Sequence, residues 1–478
     1  MRSGVLWKGA SQVTAQVSRM AMMVILARLL APSDFGLAGL VLVFTVLFQM
    51  LADVGFTASL VQFEGLSESD RSTAFWTGLG VAVGCFGVAV LLAPYVAGFY
   101  HEPRVRWMFV AVASGLVLGA LSNTQAALLT RRMDFRRIEI RGMLATVVSA
   151  AVGITAALLH AGAWSLIAAA VAGTAASTIA IWIVSPWKPH FVFSLHSLRR
   201  MASFSTGIFL TRFTYYADQN ADNLLVGKFL GTAALGIYTI GYSVILVPFE
   251  RIVEPVASVI IPAFATLQND LEGTRNLWLR GQRLIAAVMF PAVAGVIIVA
   301  RCFVPVVLGS RWTQAVVIIQ ILAWVALIQS PAILNAGLYR SRYRIDLLVR
   351  LGILAAVLDI AAFAIGLHWG VRGVATGYAL TNTLVITPVG LFLACRIIGV
   401  SFVKLASELR GVVEATVVMS ALLIGLRRIL ELEHLGTGIR LAVLIATGAA
   451  IYLLMSAWRQ RQLFAELSIR RLAASATV

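Results

Sequence analysis

The chain has 478 residues, 60% of them hydrophobic and only 12% charged, with a mean hydropathy of +0.90. Soluble domains run at about 45–50% apolar and about 25% charged residues, so a water-soluble fold of this length is excluded. The net charge of +17 would suggest nucleic acid in a soluble protein. In a polytopic membrane protein it reflects lysine and arginine gathered in cytoplasmic loops, and the chain has no basic domain with interleaved aromatics to bind nucleic acid.

Crossing about 30 Å of hydrocarbon at about 1.5 Å per residue takes about 20 apolar residues. Fourteen such segments are predicted, at 9–31, 36–61, 74–99, 106–129, 142–160, 162–184, 203–227, 233–262, 284–308, 313–338, 346–369, 371–395, 408–429 and 438–458. The first contains Gln12, Gln16 and Arg19, so it lacks the clean apolar core and small-residue cleavage site of a signal peptide and reads as a retained helix. These three residues fall at i, i+4 and i+7, on one helical face. Arg19 lies about 15 Å into the segment at helical rise. An ionisable group at that depth costs about 2.5–3.5 kcal/mol on insertion scales, and so marks a pathway or a tight internal pair.

In span 2, Asp53 follows Gln49 by four residues, which places both on one face. Cys85, Cys302 and Cys395 are far apart in apolar runs. They offer neither a disulfide framework nor metal-ligand spacing, so no metal and no cofactor is expected. The stretch 186–202, with Pro186, Pro189 and several basic residues, reads as a cytoplasmic linker between an N-terminal half (1–185) and a second half (203–395), followed by two further helices and a tail (396–478).

Span 7 is the most polar. Arg212, Tyr215, Tyr216, Gln219, Asp222 and Asn223 fall within about 120° of the helix circumference at about 100° per residue, with Asp218 at the edge. Span 8 carries Glu250, Arg251 and Glu254 among Pro248, Pro255 and Pro262, a spacing that predicts a bent helix. The alternative to a functional role is mutual neutralisation, of Arg212 by Asp218 and Asp222, and of Arg251 by Glu250 and Glu254. In span 11, Asp359 and Arg350 read as structural pairs across helices.

An internal repeat runs through the chain. Arg28-Leu29-Leu30-Ala31 and Phe35-Gly36-Leu37 recur 200 positions later as Lys228-Phe229-Leu230-Gly231 and Leu235-Gly236-Ile237. Phe135-Arg136, Leu159-His160 and Gly162 are echoed 208 positions later by Tyr343-Arg344, Leu367-His368 and Gly370. Six spans separate the copies, so both enter the membrane in the same direction, as in parallel repeats about an axis along the membrane normal. At the offset of 200, Gln12, Gln16 and Arg19 align with Arg212, Tyr216 and Gln219, so the polar faces of the two first helices coincide and would line one lumen.

With the N-terminus inside, 24 of the 38 lysines and arginines lie on the cytoplasmic side and 10 on the other, which places both termini in the cytoplasm. No loop exceeds about 20 residues, and a soluble catalytic domain needs about 50. The chain has no Walker A sequence, no HExxH, no DxD and no CxxC, which argues against an ATP-driven pump or a metal hydrolase.

The opening Trp7-Lys8-Gly9-Ala10-Ser11-Gln12, the stretch from Ala27 to Leu37 (ARLLAPSDFGL), Asp53 to Gln62 (DVGFTASLVQ), Ala127 to Arg137 (ALLTRRMDFRR) and Gly370 to Tyr378 (GVRGVATGY) resemble the polysaccharide transporters. These are the Wzx-type flippase branch of the multidrug/oligosaccharidyl-lipid/polysaccharide exporter superfamily. The resemblance implies an all-α membrane protein of about fourteen transmembrane helices, built as two parallel six-helix bundles plus two C-terminal helices. It implies translocation of an undecaprenyl-diphosphate-linked oligosaccharide across the bacterial inner membrane, with a polysaccharide polymerase and glycosyltransferases as working partners. A diphosphate crossing hydrocarbon needs a cationic cavity, and arginine binds phosphate bidentately and stays charged. Arg19 and Arg212 are the candidates for the diphosphate. Gln12, Gln16, Tyr215, Tyr216, Gln219 and Asn223 are the candidates for the sugars, and Asp218, Asp222, Glu250 and Glu254 for ion coupling. A drug or cation antiporter of the same fold, a lipid II flippase and a membrane glycosyltransferase or polymerase remain as alternatives.

Overall fold

The computed structural model describes the backbone of residues 18–53, 56–63, 65–433 and 435–459. Side chains are described for the same residues apart from 52, 53, 56–58, 135, 202–215, 217–219, 246–252, 254 and 255. The described chain is all-α. It runs as α1 (18–29), α2 (Pro32–Asp53), α3 (Phe56–Gln62), α4 (Glu68–Tyr100), α5 (Arg104–Arg131), α6 (Phe135–Leu158), α7 (Trp164–Val184) and α8 (Leu195–Thr266). There follow α9 (Leu271–Phe303), α10 (Ala315–Gln329), α11 (Asn335–Ser341), α12 (Ile345–Gly366), α13 (Gly370–Thr381), α14 (Thr387–Ile398), α15 (Phe402–Leu432) and α16 (Thr437–Arg459).

Eleven stretches among the described residues are long and apolar enough to cross a membrane. One of them, Ile345–Ile398, has 54 residues and is interrupted at Gly370, whose φ is 67°. The helices turn large apolar side chains outward. Val83, Val88, Leu91 and Tyr95 on α4 are exposed, as are Val349, Ile353 and Val357 on α12 and Leu453 and Leu454 on α16. Water does not tolerate continuous apolar faces of this size, whereas lipid tails are as apolar as leucine. The chain is a multi-pass membrane protein.

Two compact units divide it, Met1–Thr239 and Ile240–Val478. In the first, the segment after α7 is tied to the start of α4. Trp187 Nε1 donates to Glu68 Oε1 (2.7 Å), the His190 and Ser194 amides donate to Ser72 Oγ (3.2 Å) and Thr73 Oγ1 (2.9 Å), and Trp76 Nε1 donates to the His190 carbonyl (2.9 Å). At the α4 N-terminus Ser67 and Asp70 form a reciprocal capping box, with the Asp70 amide donating to Ser67 Oγ and the Ser67 amide to Asp70 Oδ2. Asp70 is 4% exposed and is further held by Arg200 Nη2 at 2.8 Å. Asp70→Ala removes the cap and the buried partner of Arg200 together. We expect a loss of about 1–3 kcal/mol, read as a lowered melting temperature in detergent. Wild-type melting of this variant would mean that the cap carries no weight.

In the second unit α15 and α16 pack on α9 through Ile298, Val299, Cys302, Met419, Leu423 and Leu444. Cys302 and Cys395 are buried and Cys85 is half-buried, all three as free thiols. Asp359 on α12 accepts from the Thr381 hydroxyl on α13, and Arg350 is exposed.

The repeat echoes recur as backbone geometry. The turn after α5 closes with Met133 at φ 55° and hydrogen bonds Met133 N to Thr130 O and Asp134 N to Leu129 O. The turn after α11 closes with Tyr343 at φ 56° and hydrogen bonds Tyr343 N to Arg340 O and Arg344 N to Tyr339 O. Both are left-handed caps of the Schellman type. They pair Met133 with Tyr343, an offset of 210, where the sequence echo pairs Phe135 with Tyr343. By Gly162 and Gly370 the offset is 208, because α6 has 24 residues and α12 has 22. The aromatic-Arg match in sequence is therefore out of register by two.

The arginines at these turns have structural roles. Arg131 Nη1 donates to the carbonyls of Leu60 and Phe63 at the end of α3. Arg342 donates to the carbonyls of Gln268 (2.6 Å) and Asp270 (3.2 Å) just beyond α8. Arg131 satisfies carbonyls at the C-terminus of α3, and Arg342 ties together the α8–α9 connection, donating also to Thr274 Oγ1 (2.7 Å).

Candidate functional site

Of the polar residues singled out from the sequence, most fall on α8 and Arg19 falls on α1. The backbone of α8 is broken at one position. Gly231 has φ 83° and ψ 179°, which divides α8 into arms 195–230 and 232–266. This conformation is open essentially to glycine alone. At the repeat offset of 200, Gly231 corresponds to Ala31, in the short connection between α1 and α2. The two arms of α8 are thus the counterparts of α1 and α2. The backbone stays helical through Pro248, Pro255 and Pro262; the break falls at Gly231, where the proline spacing did not place it.

The start of α2 crosses the start of the second arm at van der Waals distance. A Cβ on Gly36 would lie 1.7 Å from the Thr232 carbonyl oxygen, and a Cβ on Gly236 would lie 1.8 Å from the Pro32 carbonyl oxygen. The offset of 200 interchanges these two contacts, so the crossing is itself two-fold symmetric. Gly39 meets Thr239 Oγ1 at the Cβ position, its own counterpart in the repeat. Only glycine lets two backbones approach this closely, the device that small residues serve at helix crossings in lipid.

Asp222 lies on the first arm of α8, nine residues before the Gly231 break. It is 5% exposed. Its Oδ2 accepts from the Tyr238 hydroxyl at 2.8 Å and its Oδ1 from the Asn223 amide at 2.7 Å. Tyr238 lies on the second arm, so this hydrogen bond spans the Gly231 break. Tyr216 is buried and donates its hydroxyl to the Val43 carbonyl on α2, an anchor between helices. Asn223 is half-buried.

Arg19 lies on α1 with an exposed side chain, and Gln49 on α2 is exposed. Gln12 and Gln16 lie outside the described residues. The side chains of Asp53, Arg212, Tyr215, Asp218, Gln219, Glu250, Arg251 and Glu254 lie outside them as well. The structure thus brings together Tyr216 with α2 and Asp222 with Tyr238.

The second unit holds a polar cluster that the sequence reading passed over. Gln329 Nε2 donates to Asn382 Oδ1 (2.8 Å) and to the Tyr378 hydroxyl (3.1 Å). Trp278 Nε1 donates to Asn335 Oδ1 (3.2 Å), and Gln282 Nε2 to the Pro331 carbonyl (2.6 Å). Asn335, Asn382 and Gln282 are all buried. A single amide in an apolar run has no partner nearby in sequence. Its only signal is its own presence, which weighs little beside arginine or aspartate. Among the described residues no group of histidine, cysteine, aspartate and glutamate is placed to hold a metal ion.

Residues 25–317 match the family described as polysaccharide biosynthesis protein. The chain belongs to this family. It is similar to the teichuronic acid biosynthesis protein TuaB of Bacillus subtilis, with 24% identity over 95% of this chain and 94% of the relative. It is also similar to the lipopolysaccharide biosynthesis protein WzxC of Escherichia coli, with 26% identity over 80% of this chain and 78% of the relative. Its fold is similar to that of the lipid II flippase MurJ in an inward closed conformation, with a TM-score of 0.78 at 12% identity over 96% of this chain and 100% of that one. The chain is thus a membrane transport protein of polysaccharide biosynthesis and not an enzyme.

Proposed function

We propose that this member of the family is a flippase that carries an undecaprenyl-diphosphate-linked oligosaccharide from the inner to the outer leaflet of the bacterial inner membrane, upstream of polymerisation or export. The observation that carries the reading is family membership over residues 25–317 in a chain whose described residues are almost all transmembrane helix. Separating the merged stretch 345–398, counting the two arms of α8 apart and adding α1 gives fourteen spans in two six-helix repeats plus α15 and α16. The matched turns at Met133 and Tyr343 and the interchanged contacts of Gly36 and Gly236 support that duplication. The loop charge bias supports both termini in the cytoplasm.

In this reading the first helices of the two repeats line the translocation path. Arg19 and Arg212 bind the diphosphate as planar, permanently charged forks. Gln12, Gln16, Tyr215, Gln219 and Asn223 meet the sugars, while the Tyr216 hydroxyl, engaged by Val43, leaves only its ring for stacking. Transport proceeds by rocking of one repeat against the other. Asp218, Asp222, Glu250 and Glu254 couple it to an ion gradient, and Asp222 is the most developed of these, since it is buried and bridges the Gly231 break.

Arg19→Ala and Arg212→Ala each abolish polymer export while the protein still inserts in the membrane, as measured by surface polysaccharide and by membrane-fraction immunoblot. Wild-type export from either variant would remove that arginine from the site.

A further inference from the structure

In the first unit, α2, α4 and the first arm of α8 enclose a cavity of about 570 Å³. Its walls are apolar: Phe44 and Phe48 from α2, Val96 and Phe99 from α4, and Leu225 and Phe229 from α8. Phe99 is 47% exposed, Phe229 63% and Tyr95, also on the lining, 74%, so the cavity is a groove open to the side of the bundle. Its one charged lining residue is Lys228. The Lys228 ammonium lies 4.5 Å from the centre of the Phe99 ring and donates to the Phe99 carbonyl. Among the described residues no carboxylate pairs with it. A ring face and a carbonyl solvate an ammonium without neutralising it, so an anion at this rim gains an unscreened partner.

We propose that this groove holds the isoprenoid tail of a polyprenyl phosphate carrier, with its phosphate on Lys228. The charge pattern selects the ligand: an apolar groove with a single cation among its lining residues fits a chain with one anionic terminus. Lys228 precedes the Gly231 break by three residues, and Phe99 is next to the end of α4. Both helix ends are extracytoplasmic in the proposed orientation, so the ammonium stands at the level of the outer-leaflet phosphates. The groove then receives the carrier on the side where the flipped head group arrives. This rests on the flippase reading, but it concerns residues other than Arg19 and Arg212.

The test is a titration of the purified full-length chain with undecaprenyl phosphate, read by native mass spectrometry, with melting temperature as a check on folding. Lys228→Gln weakens binding by about tenfold, the loss of one charge-assisted contact, and Lys228→Arg restores it. Leu225→Trp, which fills the groove, weakens binding to a similar degree. Equal affinity of wild type and Lys228→Gln overturns the proposal, as does a wild type that binds no undecaprenyl phosphate. Displacement of the lipid by an equal concentration of phosphatidylglycerol also overturns it, because the groove would then be an ordinary annular site. Polymer export by wild type, measured separately, reports on the flippase reading: export with unchanged Lys228→Gln binding removes the groove alone, whereas binding without export removes the flippase.

Discussion

Gly36→Ala and Gly236→Ala each yield a protein that melts well below wild type, and to similar extents. A methyl group at either position overlaps a backbone carbonyl at 1.7 or 1.8 Å, and no side-chain rotation relieves a clash with backbone. The helices must part, which forfeits the neighbouring contacts of Leu235, Gly39 and Thr239. Overpacking a tight contact costs about 1–3 kcal/mol and at times more, and the upper end applies here. The comparison is Gly78→Ala and Gly84→Ala within α4, where a Cβ meets nothing within 4 Å. Those changes leave melting unchanged or raise it slightly, since alanine is favoured over glycine in a helix interior by about 0.5–1 kcal/mol. Thermal unfolding of the four variants in one detergent separates the two classes. If Gly36→Ala melts with Gly78→Ala, the crossing is not closely packed.

Gly231→Ala is expected to lower stability by a different mechanism. Nothing lies within 4 Å of a Cβ at Gly231, so the whole cost is backbone conformation. With φ 83° and ψ 179° the position lies in a region that costs a side-chain-bearing residue about 1–3 kcal/mol. The relaxation open to the chain is to carry the helix straight through, which pulls Tyr238 away from Asp222. A double-mutant cycle reads this coupling. Tyr238→Phe destabilises the wild type by about 1 kcal/mol but costs little in the Gly231→Ala background, because the hydrogen bond is already broken there. Additive losses would show that the break and the Asp222 bridge are independent.

The repeat joins these two results. Gly36 and Gly236 occupy one repeat position, Gly231 and Ala31 another, and the backbone departs from helix at both connections. The backbone contact at Gly36 and Gly236 makes the α2 to α8 crossing a discrete state that is either packed or parted. A crossing held by long side chains would instead yield by degrees.

The site was legible in part. Asp222 and Tyr216 stand out in the sequence because charged and hydroxyl groups are conspicuous in an apolar run, but their roles depend on partners 16 and 173 residues away. Tyr216 reads as a sugar ligand by type, yet its hydroxyl is engaged by a backbone carbonyl. Arg131 and Arg342 read as cytoplasmic charges of the usual bias, and the structure shows them bonded to backbone carbonyls at the end of α3 and in the α8–α9 connection. Gln282, Gln329, Asn335 and Asn382 attracted no notice because neutral amides are cheap enough in a helix to carry no linear signal.

Membrane insertion and the helical class were determined by the sequence alone. Hydropathy over about 20 residues is a local property that lipid reads directly. The partner of each polar group, the closeness of Gly36 to Thr232, the two-residue slip between α6 and α12 and the apolar groove lined by Lys228 were decided only by the tertiary structure. Each depends on which helix faces which across the bundle, and in lipid, where every face is apolar, the linear pattern does not distinguish one neighbour from another.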